Sequence, residues 1–128
     1  MADTTVASTL LRGATLIDGS GGPPLGDSAV LVEGERITWV GPSTAAVVPP
    51  GTRTVDLDGQ TLMPGLIDCH DHMIHTGRDV MGRASAPLSL TTLRIADNLR
   101  VTLEAGITTV RDAGGLDGGF KLAVEEGI

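Results

Sequence analysis

The sequence changes its pattern at Pro64, and this change limits the folds open to the chain more than any other feature. Before Pro64, short apolar runs alternate with turns rich in Gly, Pro and Asp, which is typical of antiparallel strands. After it come an apolar run from Leu66, leucines at helical spacing, and a β-branched run. We therefore predict a β-rich module at residues 1–64 and alternating strands and helices at residues 65–128.

Two hairpins are predicted in the first part. Glu33-Gly34-Glu35 separates two apolar runs, and Gly34 can adopt a left-handed backbone conformation. Asp58-Gly59 separates two more runs and favours a type I′ turn, because both central residues of that turn need positive φ. We expect these hairpins to form a small antiparallel β module.

The composition argues against several classes of function. The 128 residues include 9 Lys or Arg and 16 Asp or Glu, and this net charge of −7 opposes binding to nucleic-acid phosphates. Aromatic residues make up only 2%, so stacking platforms for single strands are missing. No apolar run approaches the roughly 18 residues of a membrane helix, and residues 1–6 show no leader pattern. With Cys69 as its one cysteine, the protein is expected to be soluble and cytoplasmic, without nucleic-acid or membrane partners.

All three histidines fall within six positions, immediately after the apolar strand that begins at Leu66. Residues i and i+2 of a strand share a face, so His70 and His72 would present two imidazoles side by side, with Asp68 on the same face. Two neutral imidazoles can supply two ligands to Zn²⁺, and Asp68 could orient one of them or close the pocket floor. HxH pairs occur often by chance, but in barrel enzymes the carboxyl end of a strand is the active-site end.

Two other residues are candidates for substrate contact or for support of the site. His75 follows the strand end, where it would either line the pocket mouth or be an ordinary polar loop residue. Asp112 ends the next strand, where its carboxylate would either position substrate or accept backbone N–H bonds. The spacing assigns no catalytic residue.

Residues 62–73, Leu-Met-Pro-Gly-Leu-Ile-Asp-Cys-His-Asp-His-Met, resemble the signature of the metal-dependent amidohydrolase superfamily, in which the first barrel strand follows a small β-sandwich and ends in HxH. Residues 105–112, Ala-Gly-Ile-Thr-Thr-Val-Arg-Asp, follow in family order. The likeness runs from about Leu10 to Gly119. Residues 107–115 most resemble the imidazolonepropionase-like and prolidase-like branch.

The resemblance implies a (β/α)₈ barrel, of which residues 65–128 would form about two of the eight units. It also implies a centre of one or two divalent metal ions, usually zinc, in which His70 and His72 are ligands. The family's other ligands, a Lys or Glu on strand four, histidines on strands five and six and an Asp on strand eight, have no counterpart here. Since a complete barrel takes roughly 250 residues, the chain is expected to be the N-terminal portion of an enzyme and inactive alone.

The resemblance further implies that the parent protein hydrolyses carbon–nitrogen bonds of small amides or cyclic amides with a metal-activated water. Two alternatives stay open. Within the superfamily, the parent protein could be a deaminase. Outside the enzyme class, the chain could be a non-catalytic fragment or assembly module that needs a second polypeptide to complete the barrel. Its protein partner would be another copy of the chain, in a homo-oligomer, or a complementary barrel fragment.

Overall fold

The computed structural model describes residues 7–75 and 85–128. Residues 1–6, for which the sequence predicts no leader, lie outside the described residues. The chain divides into two compact units, Met1–Pro64 and Gly65–Ile128. The first unit is built on a sheet, and the second alternates strands with helices, so the described chain has a mixed α/β fold.

The first unit is one sheet of five strands, which are β1 (Ser8–Leu16), β2 (Leu25–Glu33), β3 (Arg36–Pro42), β4 (Arg53–Asp56) and β5 (Thr61–Leu62). The strands β2 and β3 are antiparallel and meet at a tight turn in which Gly34 has a φ of 58°, and this confirms the first predicted hairpin. The sheet order is β3-β2-β1-β4, with β5 also paired to β1. A 3₁₀ turn at Ser43–Ala45 follows β3.

The antiparallel sandwich predicted for residues 1–64 is wrong in two respects. Both β4 and β5 pair with β1 in parallel, so the sheet is mixed. The described residues of this unit also form a single sheet, not two sheets packed face to face.

The second predicted hairpin does not form. Its turn instead connects two segments that both pair with β1 in parallel. Asp58 and Gly59 do occupy a β-turn, closed by the Gln60 N–H donating to the Leu57 carbonyl at 2.9 Å. The segments on either side of this turn bond to β1 in succession and do not pair with each other. The physical reason is the length of β5: two residues form too few ladder bonds for a separate hairpin, whereas the edge of β1 offers partners to both segments.

One buried cluster of the first unit lies on one face of the sheet. Leu10, Ala29 and Leu31 are buried together, and Trp39 packs against them. Ser28 is fully buried, and its hydroxyl donates to the Ala14 carbonyl at 2.8 Å. This bond satisfies the one buried polar side chain found in the described part of the chain.

The second unit follows the predicted order of strand, helix, strand and helix. Its elements are β6 (Leu66–Asp71), α1 (Leu88–Glu104), β7 (Ile107–Asp112) and α2 (Gly118–Glu126). The strands β6 and β7 pair in parallel through the α1 crossover. Gly106, with a φ of 89°, follows the end of α1, where the left-handed conformation stops a helix.

The strands of this second sheet are less buried than their apolar sequences predict. Leu66 and Ile67 of β6 are 50% and 66% exposed, because among the described residues the sheet has only two strands. The side chains buried in the described part of this unit are Met73 and Ile95. Within the residues that the structure describes, no helix is long and apolar enough to cross a membrane.

Candidate metal centre

The candidate site lies at the carboxyl ends of β6 and β7. The strands are parallel, so these ends share one edge of the sheet, and their last residues, Asp71 and Asp112, are partners in the register. The Ala113 N–H donates to the Asp71 carbonyl at 2.7 Å and so extends the pairing by one residue. The loops that follow the two strands therefore begin side by side.

His70 and His72 present their rings next to each other at this edge. His70 belongs to β6 and His72 follows its last residue; the ring centroids are 5.4 Å apart and the ring planes meet at 76°. Two imidazoles on one Zn²⁺, each at about 2.0 Å, would place their centroids about 5.2 Å apart at a tetrahedral angle. The observed spacing fits that arrangement.

The tautomer of His72 is set by its partner. Its Nδ1 lies 2.8 Å from the Gly114 carbonyl oxygen. A carbonyl oxygen can only accept a hydrogen bond, so Nδ1 carries the proton that is donated. In the neutral ring, Nε2 is then left with its lone pair, which is the form that a metal ligand needs.

Asp112 joins the two loops. Its Oδ2 accepts from the Met73 N–H at 2.9 Å, and its Oδ1 accepts from the Gly114 N–H at 2.8 Å. Desolvation alone would raise the pKa of Asp112, but the backbone donors of Met73, Gly114 and Leu116 and the nearby His72 ring together hold this pKa below its usual value. Of its two predicted roles, the contacts match the acceptance of backbone N–H bonds.

Asp68 makes a local contact. Its Oδ1 accepts from the His70 N–H at 2.9 Å, on the same strand. The carboxylate is half-buried and bonds the backbone of His70, not its ring. A role for Asp68 in supporting the site stays a prediction.

His75 lies close to His72. Its N–H donates to the His72 carbonyl at 2.8 Å, and the ring centroids are 5.0 Å apart with a tilt of 37°. The His75 side chain is exposed. It therefore stands beside the two-histidine pair at the surface, where a role in contacting substrate stays a prediction; Thr76 and Gly77, which would extend this pocket mouth, lie outside the described residues.

The donor set fits part of a metal site. A catalytic zinc ion usually takes three protein ligands and keeps one position for water. Within residues 7–75 and 85–128, no three side chains of His, Cys, Asp or Glu converge as a complete metal site. His70 and His72 therefore match two ligands of a larger set.

Sequence reasoning missed Asn98, whose Nδ2 donates to the Met73 carbonyl at 2.7 Å. The leucine stripe predicted for α1 drew attention to the wrong face, since Leu93 and Leu103 are 69% and 61% exposed. The inner face is marked by buried Ile95, and Asn98 lies three positions beyond it. The sequence signal that could have found Asn98 is its helical spacing, three positions, from the β-branched Ile95.

Curated relatives match about half of the chain. An imidazolonepropionase of Arthrobacter sp. (strain FB24) is 51% identical over 53 residues, which are 41% of this chain and 13% of the relative. An imidazolonepropionase of Cereibacter sphaeroides (strain KD131) is 48% identical over 67 residues, 52% of this chain and 16% of the relative. The matches thus span less than a fifth of these relatives' length. No family model matches the sequence.

Solved structures share the fold of nearly the whole chain. A prolidase crystallised with N-methylphosphonate-L-proline superposes with a TM-score of 0.84 at 36% sequence identity. The superposition covers 94% of this chain and 29% of the prolidase. The described fold therefore corresponds to the N-terminal part of an amidohydrolase domain.

The sequence and structure comparisons lead to the same class, that of hydrolases with a mixed α/β fold. Over the part that these proteins share with it, the chain is similar to the metal-dependent amidohydrolase superfamily, on its imidazolonepropionase-like branch. This confirms the family predicted from residues 62–73.

Proposed function

We propose that this chain is the N-terminal portion of an enzyme that hydrolyses carbon–nitrogen bonds of small amides or cyclic amides with a metal-activated water. The observation that carries the proposal is the pair of adjacent rings at the end of β6, with Nδ1 of His72 bonded to Gly114 and Nε2 left free. Zinc is the proposed metal, because imidazole nitrogen suits it and the pair can leave room for water.

The scaffold is proposed to be a (β/α)₈ barrel. The parallel β6-α1-β7 unit followed by α2 has the order of the first two barrel units, and the rings lie at the carboxyl ends of the strands. The prolidase that superposes on the chain is more than three times as long, which leaves room for the other units. The remaining ligands are proposed to lie on them.

The residues of this chain prepare the site. When bound, the metal supplies an activated water and polarises the scissile carbonyl. His72 keeps its proton on Nδ1, toward the Gly114 carbonyl, and so offers a lone pair on Nε2. Asp112 holds the loops that follow β6 and β7 at a fixed separation. His75, exposed beside His72, is the proposed contact for a polar group of the substrate.

The substrate class is proposed from the relatives' names. Imidazolonepropionases and a prolidase indicate two compounds to try first, an imidazolone propionate as a cyclic amide and an Xaa-Pro dipeptide as a linear one. Deamination, the alternative within the superfamily, would release ammonia from a nitrogenous base. Product analysis separates the three reactions.

The test uses the protein at its full natural length. We expect zinc to copurify with it, and His70→Ala or His72→Ala to lower both the zinc content and the rate of amide hydrolysis by at least an order of magnitude. Glu35→Gln, at an exposed turn of the first unit, is the control and should change neither. If both histidine variants kept full zinc content and full activity, the proposal would be wrong.

The rival function is a module without catalysis that completes a barrel with another polypeptide. The exposed apolar side chains of Leu66 and Ile67 on β6 favour it, since they offer a surface for further elements. Mixing the 128-residue chain with a fragment that carries the rest of a barrel tests this function. A gain in circular-dichroism signal without any hydrolysis would support it against the enzyme.

A further inference from the structure

Among the described residues, the backbone of the loop that carries His72 is bonded to α1 through one side chain. The Nδ2 of Asn98 donates to the Met73 carbonyl at 2.7 Å and approaches the His75 carbonyl at 3.3 Å. We name residues 72–75 the histidine loop. Asn98 therefore bonds backbone carbonyls on both sides of Ile74 within this loop.

Met73 is held on three of its atoms. Its N–H donates to Asp112 of β7, and its carbonyl accepts from Asn98 of α1. Its sulfur lies 3.8 Å from the hydroxyl of Thr102, one helical turn beyond Asn98. With only 3% of its surface exposed, Met73 is the buried anchor of the histidine loop.

This anchor is adjacent to His72 in the chain. The His72 ring reaches across to the Gly114 carbonyl, and the Gly114 N–H is bonded to the same Asp112 that holds the Met73 N–H. Asp112 thus fixes the loop from the side of β7. Asn98 fixes the loop from the side of α1. Among the described residues, no other side chain of that helix is bonded to the backbone of the loop.

We propose that Asn98 is a positioning residue that holds the Met73 carbonyl, so that His72 keeps Nδ1 on Gly114 and leaves Nε2 free for the metal. The inference rests on the proposed function in one point only, namely that the ligand of Nε2 is a metal ion. The tautomer of His72 is a property of the chain itself. An amide suits the task because both loop groups that face Nδ2 are acceptors, and Asn supplies two N–H donors without a charge.

The chain offers a matched pair of substitutions. Asn98→Asp keeps the shape but replaces the donor with a carboxylate that faces two carbonyl oxygens. Asp97→Asn makes the reverse change one position earlier, where the side chain is exposed and, among the described residues, bonds only to Arg100. Asn98→Ala removes the donor without adding charge, and keeps the proposal testable if the aspartate variant does not fold.

The first readout needs no metal and no activity. In the full-length protein labelled with ¹⁵N-histidine and stripped of metal, at about pH 8 where imidazoles are neutral, the nitrogen shifts report the tautomer. We expect the Nδ1–H form to dominate at His72 in the wild type and in Asp97→Asn. In both Asn98 variants we expect a mixture of the two tautomers.

The second readout is zinc affinity. We expect the Asn98 variants to bind zinc about 10- to 100-fold more weakly, as losses of groups that orient ligands do, and Asp97→Asn to stay within about twofold of the wild type. If the Asn98 variants keep the Nδ1–H tautomer and the wild-type affinity, the positioning role is overturned. If the wild type binds no zinc, the proposed function fails, while the tautomer measurement still decides the role of Asn98.

Discussion

The ring of His72 and the backbone of Gly114 are joined by a hydrogen bond of 2.8 Å, although 42 positions separate the two residues. The bond depends on an irregular turn after β7, in which Gly114 and Gly115 have φ values of 145° and 119°. Side chains are rarely tolerated at such values. The glycine pair is therefore as much a part of the site as the histidines.

Gly115→Ala should destabilise this part of the chain. A Cβ at this position would lie 2.5 Å from Cγ2 of Ile74 and would meet an unfavourable φ as well. We expect the free energy of unfolding to fall by about 1–3 kcal/mol, measured by urea denaturation of the metal-free protein. Gly118→Ala is the control, because a Cβ added there would meet nothing within 4 Å and the residue starts a helix, so stability should not fall.

Asp112→Asn should lower stability in a way that depends on pH. The folded-state pKa of Asp112 is depressed, so its ionised form contributes stability above the unfolded pKa of about 3.9. This contribution disappears as the pH falls through the lower folded-state value. At neutral pH we expect the variant to lose about 1–3 kcal/mol, because an amide cannot accept at both of its positions.

The measurement for this substitution is the difference in unfolding free energy between wild type and variant from about pH 7 down to the acid transition. The difference should shrink as the pH approaches and passes below about 4. Asp58→Asn, an exposed carboxylate of the first unit, should show no comparable difference at any pH. A constant difference across the range would contradict the role assigned to the Asp112 charge.

Metal removal should abolish the activity reversibly. Dialysis of the full-length protein against a chelator is expected to reduce amide hydrolysis to background, and added zinc should restore it, because in the proposed reaction the metal activates the attacking water. His70→Ala, treated in the same way, should recover little activity. Full activity after complete removal of metal, verified by elemental analysis, would rule out the proposed chemistry.

Ser28→Ala tests the first unit by itself. The Ser28 hydroxyl is fully buried and donates to the Ala14 carbonyl at 2.8 Å. Its loss should lower the free energy of unfolding by about 1–2 kcal/mol in urea denaturation. Ser20→Ala, in an exposed loop of the same unit, should stay within about 0.5 kcal/mol of the wild type.

Local patterns predicted the elements of the second unit well. Leucines at helical spacing predicted a helix after the apolar run from Leu66, and the structure has it at Leu88–Glu104. The HxH spacing also placed the His70 and His72 rings together. These features succeed because they depend on neighbours within one turn or one strand.

Pairings between distant segments could not be predicted in the same way. Asp58-Gly59 has the sequence of a hairpin turn, but the choice of β1 as partner depends on an edge more than 40 positions earlier. The buried face of α1 could not be predicted from the leucines, because the helix contains several of them and Ile95 is its one buried residue. Likewise, the bonds from Asp112 and Asn98 to Met73 exist only once the second unit has folded.

The sequential order of β6, α1 and β7 has a consequence for synthesis of the protein. His72 and Gly114, like Met73 and Asp112, belong to one contiguous stretch, so no later segment is needed to bring them together. Domains generally fold as units, beginning at the N-terminus while the chain emerges from the ribosome. We expect the histidine loop to be shaped while translation is still in progress, before any ligand encoded further downstream has been made.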